Sequence, residues 1–404
     1  MARRLKGASS ADTRSAILDL IRSSGQISRT QLAERSGLTE STISKVVRGL
    51  IDRGLVVEGG HAASTGGKRP VLLELNRCSR WAVGLSLDFA RISIVLCDIF
   101  GNVVHSDILR GAGDDPPQHV IDRVASDLAR FLERHEIAGR DVIGIGVSDA
   151  GRIDAAGRSL RSSRQASGWE DFDVEAALGE RSGLPVKLEN DANCAALGEF
   201  WSGRIPSADD FVTLYMASGI GIGFITNGDV YRGASSNAGE IGHLSLDIDG
   251  PACDCGSQGC LEVLATPAAV VRDARANPDL WRRICADGEP ESTRTAFSAI
   301  ATAAVAGDPD ADALIRKSAR YVATAVLGLT NVLDLDRVVL AGPGFAIAGE
   351  IYLETVSDTL GRLAFMRRVH PVIVQMGDTG PQTAARGAAS VVLHSHLTPH
   401  HVRE

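Results

Sequence analysis

The chain has 404 residues, 44% hydrophobic and 23% charged, with a formal net charge of −8. That length exceeds one ordinary core, so two or three globular domains are expected. No apolar run is long enough to span a bilayer, and the opening MARRLKGASSADTRS has no signal-peptide core; a cytoplasmic chain with reduced thiols and no membrane partner is expected.

The charge is uneven. Residues 1–80 hold 14 Lys+Arg against 7 Asp+Glu, a net of +7 that leaves −15 for the rest of the chain. A basic module on an acidic body points to an anionic partner for the module alone, with nucleic acid foremost. Ile17, Leu18, Leu20 and Ile21 give a helical apolar face over about Thr13–Ser23. Ser28 and Gln31 have capping-box spacing at the start of a second helix that Gly37 ends. Thr39 is placed to cap a third helix, TESTISKVVRGLIDRG, with Ile43, Val46, Val47, Leu50 and Ile51 as its buried stripe. Two short helices around a Gly-containing turn are the helix-turn-helix pattern. The third helix offers Ser41, Thr42, Ser44, Lys45 and Arg48 outward, small polar groups followed by cations, as major-groove entry requires. Leu55-Val56-Val57 and Val71–Leu75 read as a hairpin wing with Lys68 and Arg69 near its tip. The competing reading of this head is a three-helix protein-interaction module.

The body alternates between strand and helix patterns. Trp81–Leu87, Ile92–Cys97 and Val103–Leu109 read as an antiparallel meander, followed by a helix over Pro117–His135 and a buried strand over 142–148. A second round starts near Phe211 with strands at 211–216 and 221–226. It continues through Ala-rich helices between Ser292 and Val332, the strand RVVLAG and a last helix from about Gln382. Two such lobes imply a ligand cleft between them.

Cys78, Cys97, Cys194 and Cys285 are scattered and suit packing. His243, Cys253, Cys255 and Cys260 instead fall together in GEIGHLSLDIDGPACDCGSQGCLE, a loop rich in turn formers. One imidazole and three thiols are the donor set of a closed tetrahedral zinc site, so one zinc ion per chain is expected. Three unrelated cysteines in a turn is the plainer alternative. Glu240 and Glu262 flank the cluster and are not needed as ligands.

GEIGH followed by CxCGxxGCxE, LENDANCAALGE at 188–199, GGKRP and the closing AARGAA resemble the ROK proteins, named for repressors, open reading frames and sugar kinases. The likeness covers nearly the whole chain and is to the repressor branch. It implies an α/β fold, with a winged helix-turn-helix at 1–78 and then a two-lobed actin-like, ribonuclease-H-like body. Lobe 1 would cover 79–200 and lobe 2, with the zinc loop, 201–404, the C-terminal helix packing back on lobe 1. It also implies that Asp191 stands where the family's kinases hold their general base. Asn190, Asp191, Glu240, His243 and Glu262 match sugar-contacting positions, with His243 shared between zinc and ligand. Read by themselves, Asn190 and Asp191 suit a helix cap better than a ligand contact, and a purely structural zinc is the lesser alternative.

Two departures matter. In RQASGW, Ala166 occupies the apparent place of an Asn usual in sugar-binding members, while Trp169 is retained. Family kinases carry Asp-x-Gly-Gly-Thr on their first strand; here Ser86 replaces the Asp, and Asp88-Phe89-Ala90 replace Gly-Gly-Thr. A carboxylate and a bulky ring in place of the Gly turn oppose phosphate, so no catalytic residue is assigned, and Asp191 is a vestigial base. The Gly runs at 144–146, 217–223 and 341–344 are weak phosphate signals.

The expected function is a sequence-specific DNA-binding regulator, most simply a repressor of carbohydrate-utilisation genes. It would bind a double-stranded operator as a homodimer or homotetramer, and a sugar or sugar derivative would control it. The rivals are a ROK sugar kinase with an atypical ATP site and a regulator controlled by a protein partner.

Overall fold

The computed structural model describes residues 10–61, 70–77, 79–153, 160–161, 168–169, 172–202, 205, 210–286 and 288–397. They form two compact units. The first comprises Met1–Glu189, Phe200–Ala208 and Ala385–Glu404, the second Asn190–Glu199 and Asp209–Ala384. Lys68, Arg69, Cys78 and Ala166 lie outside the described residues.

The head opens with α1 (Ser10–Ser24), then β1 (Ile27–Ser28), α2 (Arg29–Ser36) and α3 (Glu40–Asp52), and closes with β2 (Val56–His61) and β3 (Val71–Leu75). The expected caps are present. The Ser28 hydroxyl accepts the Gln31 N–H while the Gln31 side chain accepts the Ser28 N–H, and Gly37 ends α2 at φ 69°. The Thr39 hydroxyl accepts the Thr42 N–H at the start of α3. Ile43, Val47 and Leu50 are buried, but Val46 and Ile51 only partly, so the core stripe of α3 is narrower than the sequence implied. The wing has an unanticipated third strand: the two residues of β1 pair antiparallel with β3.

Five strands build the first sheet: β4 (Trp81–Ser86), β5 (Arg91–Cys97), β6 (Val103–Arg110), β7 (Val142–Asp149) and, beyond a small β8–β9 ribbon (Arg152–Ile153, Leu160–Arg161), β10 (Val186–Asn190). The expected meander is there, β4–β5 and β5–β6 pairing antiparallel, and β7 adds parallel to β4. Helices α4 (Pro117–Arg134) and α5 (Val174–Ser182) cover it; Val120, Val124, Leu128 and Phe131 of α4 pack with Val83, Leu85, Ile94 and Ile145. Trp169, 4% exposed, belongs to this core.

The second sheet repeats the plan with β11 (Phe211–Met216), β12 (Ile220–Thr226), β13 (Asp229–Val230), β14 (Arg337–Ala341) and β15 (Ile373–Met376). Its order, β13-β12-β11-β14-β15, matches β6-β5-β4-β7-β10 of the first sheet strand for strand. In both, an antiparallel hairpin begins the sheet and a later strand joins the first one in parallel. Helix α6 (Asp191–Trp201) precedes this sheet. Between β13 and β14 run α7 (Leu261–Ala265), α8 (Pro267–Arg275), α9 (Pro278–Ile284), α10 (Thr293–Val305) and α11 (Pro309–Leu333); α12 (Gly349–Leu363) follows β14.

The last helix, α13 (Thr383–Leu397), returns to the first unit from Ala385 onward. It lies so close to the first sheet that a Cβ on Gly84 would come 1.9 Å from the Ala385 carbonyl, and one on Gly146 1.8 Å from that of Ala388. The glycines at 144–146 therefore admit a helix, not a phosphate. Ala385, Ala389, Val392, Leu393 and Leu397 join Ile17, Ile21, Leu50 and Leu73 of the head in one buried cluster with Ala82 and Val95 of the sheet. Head and first sheet thus share a hydrophobic core. No helix among the described residues is long and apolar enough to cross a membrane.

Candidate functional site

Strand β12 is the seat of the site in the second unit. The run ASGIGIG at 217–223 leads into its N-terminal half, and side chains on its glycines would block what packs there. The carboxylate of Glu262, in the first turn of α7, accepts the Ile220 N–H at 3.2 Å. A Cβ on Gly219 would meet the same carboxylate at 3.3 Å, and one on Gly242 would meet it at 3.0 Å. A Cβ on Gly221 would touch that of Ala192 at 3.1 Å, and one on Gly223 would lie 2.4 Å from the Ala192 carbonyl. The Ile222 N–H bonds the Gly239 carbonyl at 2.9 Å. One short stretch of strand therefore receives the start of α6, the GEIGH turn and the start of α7. These are the segments that carry Asn190 and Asp191, Glu240 and His243, and Glu262. The glycines at 217–223 are filled by protein contacts, and so is the 341–344 turn, where a Cβ on Gly342 would lie 2.5 Å from the Met216 carbonyl.

Asn190 ends β10, and its amide oxygen accepts the N–H groups of Ala192 (2.9 Å) and Asn193 (3.3 Å), so it does cap α6. Asp191 Oδ1 accepts the Ala192 N–H at 2.8 Å. Both side chains are half-buried, Glu262 is half-buried, and Glu240 and His243 are exposed. Behind Glu262, the Thr266 hydroxyl donates to the Glu262 carbonyl at 2.7 Å. Ser318 donates to the Ala265 carbonyl at 2.6 Å and shares a 2.8 Å hydrogen bond with the buried Tyr352 hydroxyl. This buttress fixes the short α7 from two other helices, and no motif in the sequence announced it.

The four expected metal-ligating residues meet. His243 Nδ1 lies 3.7 Å from Cys253 Sγ, Cys255 and Cys260 Sγ are 3.6 Å apart, and all four donor atoms fall within 4.8 Å of one another. A tetrahedral zinc with Zn–S bonds of about 2.3 Å needs donor separations of about 3.8 Å, so the cluster fits such an ion. Two bridges, Ser245–Cys260 and Ala252–Gln258, together with Gly256 and Gly259 at φ 92° and 56°, fold the loop back on itself. Burial pushes the Cys260 thiol up to about 11, while the Ser257 N–H lowers that of the exposed Cys255. A divalent ion would hold both as thiolates. Because Nδ1 faces the thiols, Nε2 of His243 is the nitrogen that a second partner can use.

In the first unit, Ser86 ends β4, and the carboxylate of the exposed Asp88 accepts the Ala90 N–H at 2.8 Å. Gly111 comes against this turn, whose Asp88 and Phe89 carbonyls accept the Ala112 and Gly113 N–H groups at 3.0 and 2.9 Å. The turn is thus occupied by its own chain, with Phe89 42% exposed. Nearby, burial and secondarily Asp88 push the Asp149 carboxyl up to about 7, opposed by the Gly151 N–H that it accepts.

On the head, Ser41, Ser44, Lys45 and Arg48 are exposed along one face of α3, and Thr42 is half-buried. The Thr39 hydroxyl lies 3.0 Å from that of Ser41 and 2.9 Å from that of Thr42. This ladder fixes the entry of the helix.

The sequence profile of the ROK family matches residues 83–395. The chain belongs to the ROK family. A winged helix-turn-helix DNA-binding profile matches residues 11–57 of this ROK protein. It is 34% identical over 256 residues to the xylose repressor of Bacillus subtilis, a match covering 63% of this chain; the chain spans 66% of that repressor's length. A crystal structure of a ROK family transcriptional regulator, a homologue of the Escherichia coli MLC protein, superposes with a TM-score of 0.76 at 23% identity, covering 96% of this chain and 97% of that one. A ROK glucokinase from Streptomyces griseus, solved with glucose and AMPPNP, gives 0.65 at 27% identity over 77% and 98% of the two chains. The whole-chain likeness is to a fold that includes the head.

Proposed function

We propose that this ROK protein is a DNA-binding repressor of carbohydrate-utilisation genes, released or engaged by a sugar held at Asn190, Asp191, Glu240, His243 and Glu262. The observation that carries this reading is the joining, in one chain, of a polar and cationic α3 face to a ROK body whose first-strand turn is unfit for nucleotide phosphates. Ser41, Thr42 and Ser44 reach base edges; Lys45 and Arg48 contact phosphates, joined by Lys68 and Arg69, which the sequence places between β2 and β3. Two copies meet a two-fold operator as a homodimer.

Zinc is the ion that suits His243, Cys253, Cys255 and Cys260; when bound it supplies a fixed crosslink in place of a mobile loop. The chain's own residues do the recognition. Carboxylates of Asp191, Glu240 and Glu262 accept hydrogen bonds from hydroxyl groups, Asn190 and His243 Nε2 offer further polar contacts, and the glycines of β12 let these groups converge. Similarity to a xylose repressor makes D-xylose the first sugar to try. Kinase chemistry is lost, since Ser86 gives magnesium no carboxylate and Asp88 and Phe89 oppose phosphate.

The test is selection of an operator from random duplexes with the full chain, then titration of the complex with D-xylose, D-glucose and N-acetyl-D-glucosamine. A sugar-dependent change in operator affinity is expected. ATP turnover above about 1 s⁻¹ with any of these sugars would make the protein a kinase. Intact operator binding with no calorimetric heat from any sugar would favour a protein partner.

A further inference from the structure

Arg22 of α1 is a cation buried to 6% exposure. Its guanidinium donates through Nε and Nη2 to Asp19 at 3.0 and 2.7 Å, and through Nη1 to the carbonyl of Trp201 at 2.6 Å. It lies 4.4 Å from the centroid of the Trp201 ring and 5.5 Å from that of Phe200. Trp201 is itself held: its Nε1 donates to the Ile99 carbonyl at 3.1 Å, and a Cβ on Gly101 would come within 2.7 Å of its ring. The carbonyl that Arg22 takes is among the last of α6, where helix carbonyls lack internal partners and the helix dipole is negative. A buried guanidinium at this position is bound by charge, by stacking and by a hydrogen bond to one helix end, and losing that end would strand the charge.

The other end of the same helix is Asp191. Every residue from Ala192 to Trp201 is buried, so α6 cannot bend freely along its length of about 16 Å. Asn190 and Asp191, two of the proposed sugar contacts, cap and begin it, and its last residue, Trp201, accepts a hydrogen bond from Arg22 of the DNA-binding head.

We propose that α6 is a strut that transmits the state of the sugar site to the head, with Arg22 as the coupling residue. This rests on the sugar-site reading given above. A sugar that prefers one position of Asp191 shifts α6 as a body. The Trp201 carbonyl and ring then carry Arg22 and with it α1, on which Asp19 holds the guanidinium in place. The wing and α3 follow because they share the α1 core.

The experiment uses the full chain with its selected operator and measures operator affinity with and without D-xylose, D-glucose or N-acetyl-D-glucosamine, alongside sugar affinity by calorimetry. Arg22→Met keeps an unbranched stem and removes the guanidinium. Trp201→Phe keeps the carbonyl and an aromatic face but removes the bond to Ile99, and so reports even if the first variant does not fold. Wild-type protein is expected to show a coupling of about tenfold or more. Both variants should bind operator within about threefold of wild type without sugar, and bind sugar with unchanged affinity, while the coupling falls below about twofold. Retention of the wild-type coupling in folded variants overturns the strut. Loss of operator binding without sugar in both variants also overturns it, because Arg22 would then only hold the head together. Wild-type protein whose operator affinity ignores every sugar overturns the sugar-site reading, and this inference with it.

Discussion

Asp149 is half-buried near Asp88, and its carboxyl is raised from the ordinary value of 3.8 to about 7. A carboxyl raised on folding contributes stability that is complete below its unfolded value and is lost as pH rises through about 7. Asp149→Asn cannot ionise, so its melting temperature should fall less than that of wild type between about pH 5 and pH 8; parallel curves would remove Asp149 as the source. At the metal cluster, Cys255→Ser should reduce zinc from about one per chain to near zero and weaken sugar response together, because α7 and Glu262 start directly after Cys260. Metal analysis and calorimetry on the same preparation check both. The sequence made these four candidate ligands legible because they lie within eighteen residues of one another. Arg22 was not legible: its spacing to Asp19 is visible, but Trp201 lies 179 positions away.

At the level of elements, glycines decide where helices can lie. Gly146→Ala puts a methyl into the Ala388 carbonyl of α13 and should cost about 1–3 kcal/mol or more, read as a lowered denaturation midpoint. Gly139→Ala, which meets nothing within 4 Å, is the control and should leave the midpoint nearly unchanged. Thr39→Ala removes the cap of α3 and should destabilise the head by about 1 kcal/mol. The sequence reading found the caps, the meander and the long helices, since capping and periodicity are local. It missed β1 and β15, which are too short to show a period, and it could not say what the glycine runs admit. Glycine in a strand reports that something approaches closely; which element does so is set by a partner distant in the chain.

Across the whole molecule, charge separates the two tasks. The basic head should bind its operator with strong salt dependence, and Arg48→Gln should weaken binding evenly across sequences while lowering the salt slope by about 1. A flat response of the wild-type protein would mean that the head is not the DNA-binding surface. Sequence by itself determined the family and the head, and it singled out the candidate metal ligands and the departure from the kinase turn at Ser86–Ala90, because each is carried by residues close together whose chemistry is intrinsic. Tertiary structure decided that the Gly-rich run at 219–223 is a seat for α6, the GEIGH turn and α7, and that α1 is tied to the end of α6. Those facts depend on which distant segments a close-packed interior brings into contact, and packing of that kind leaves no periodic trace along the chain.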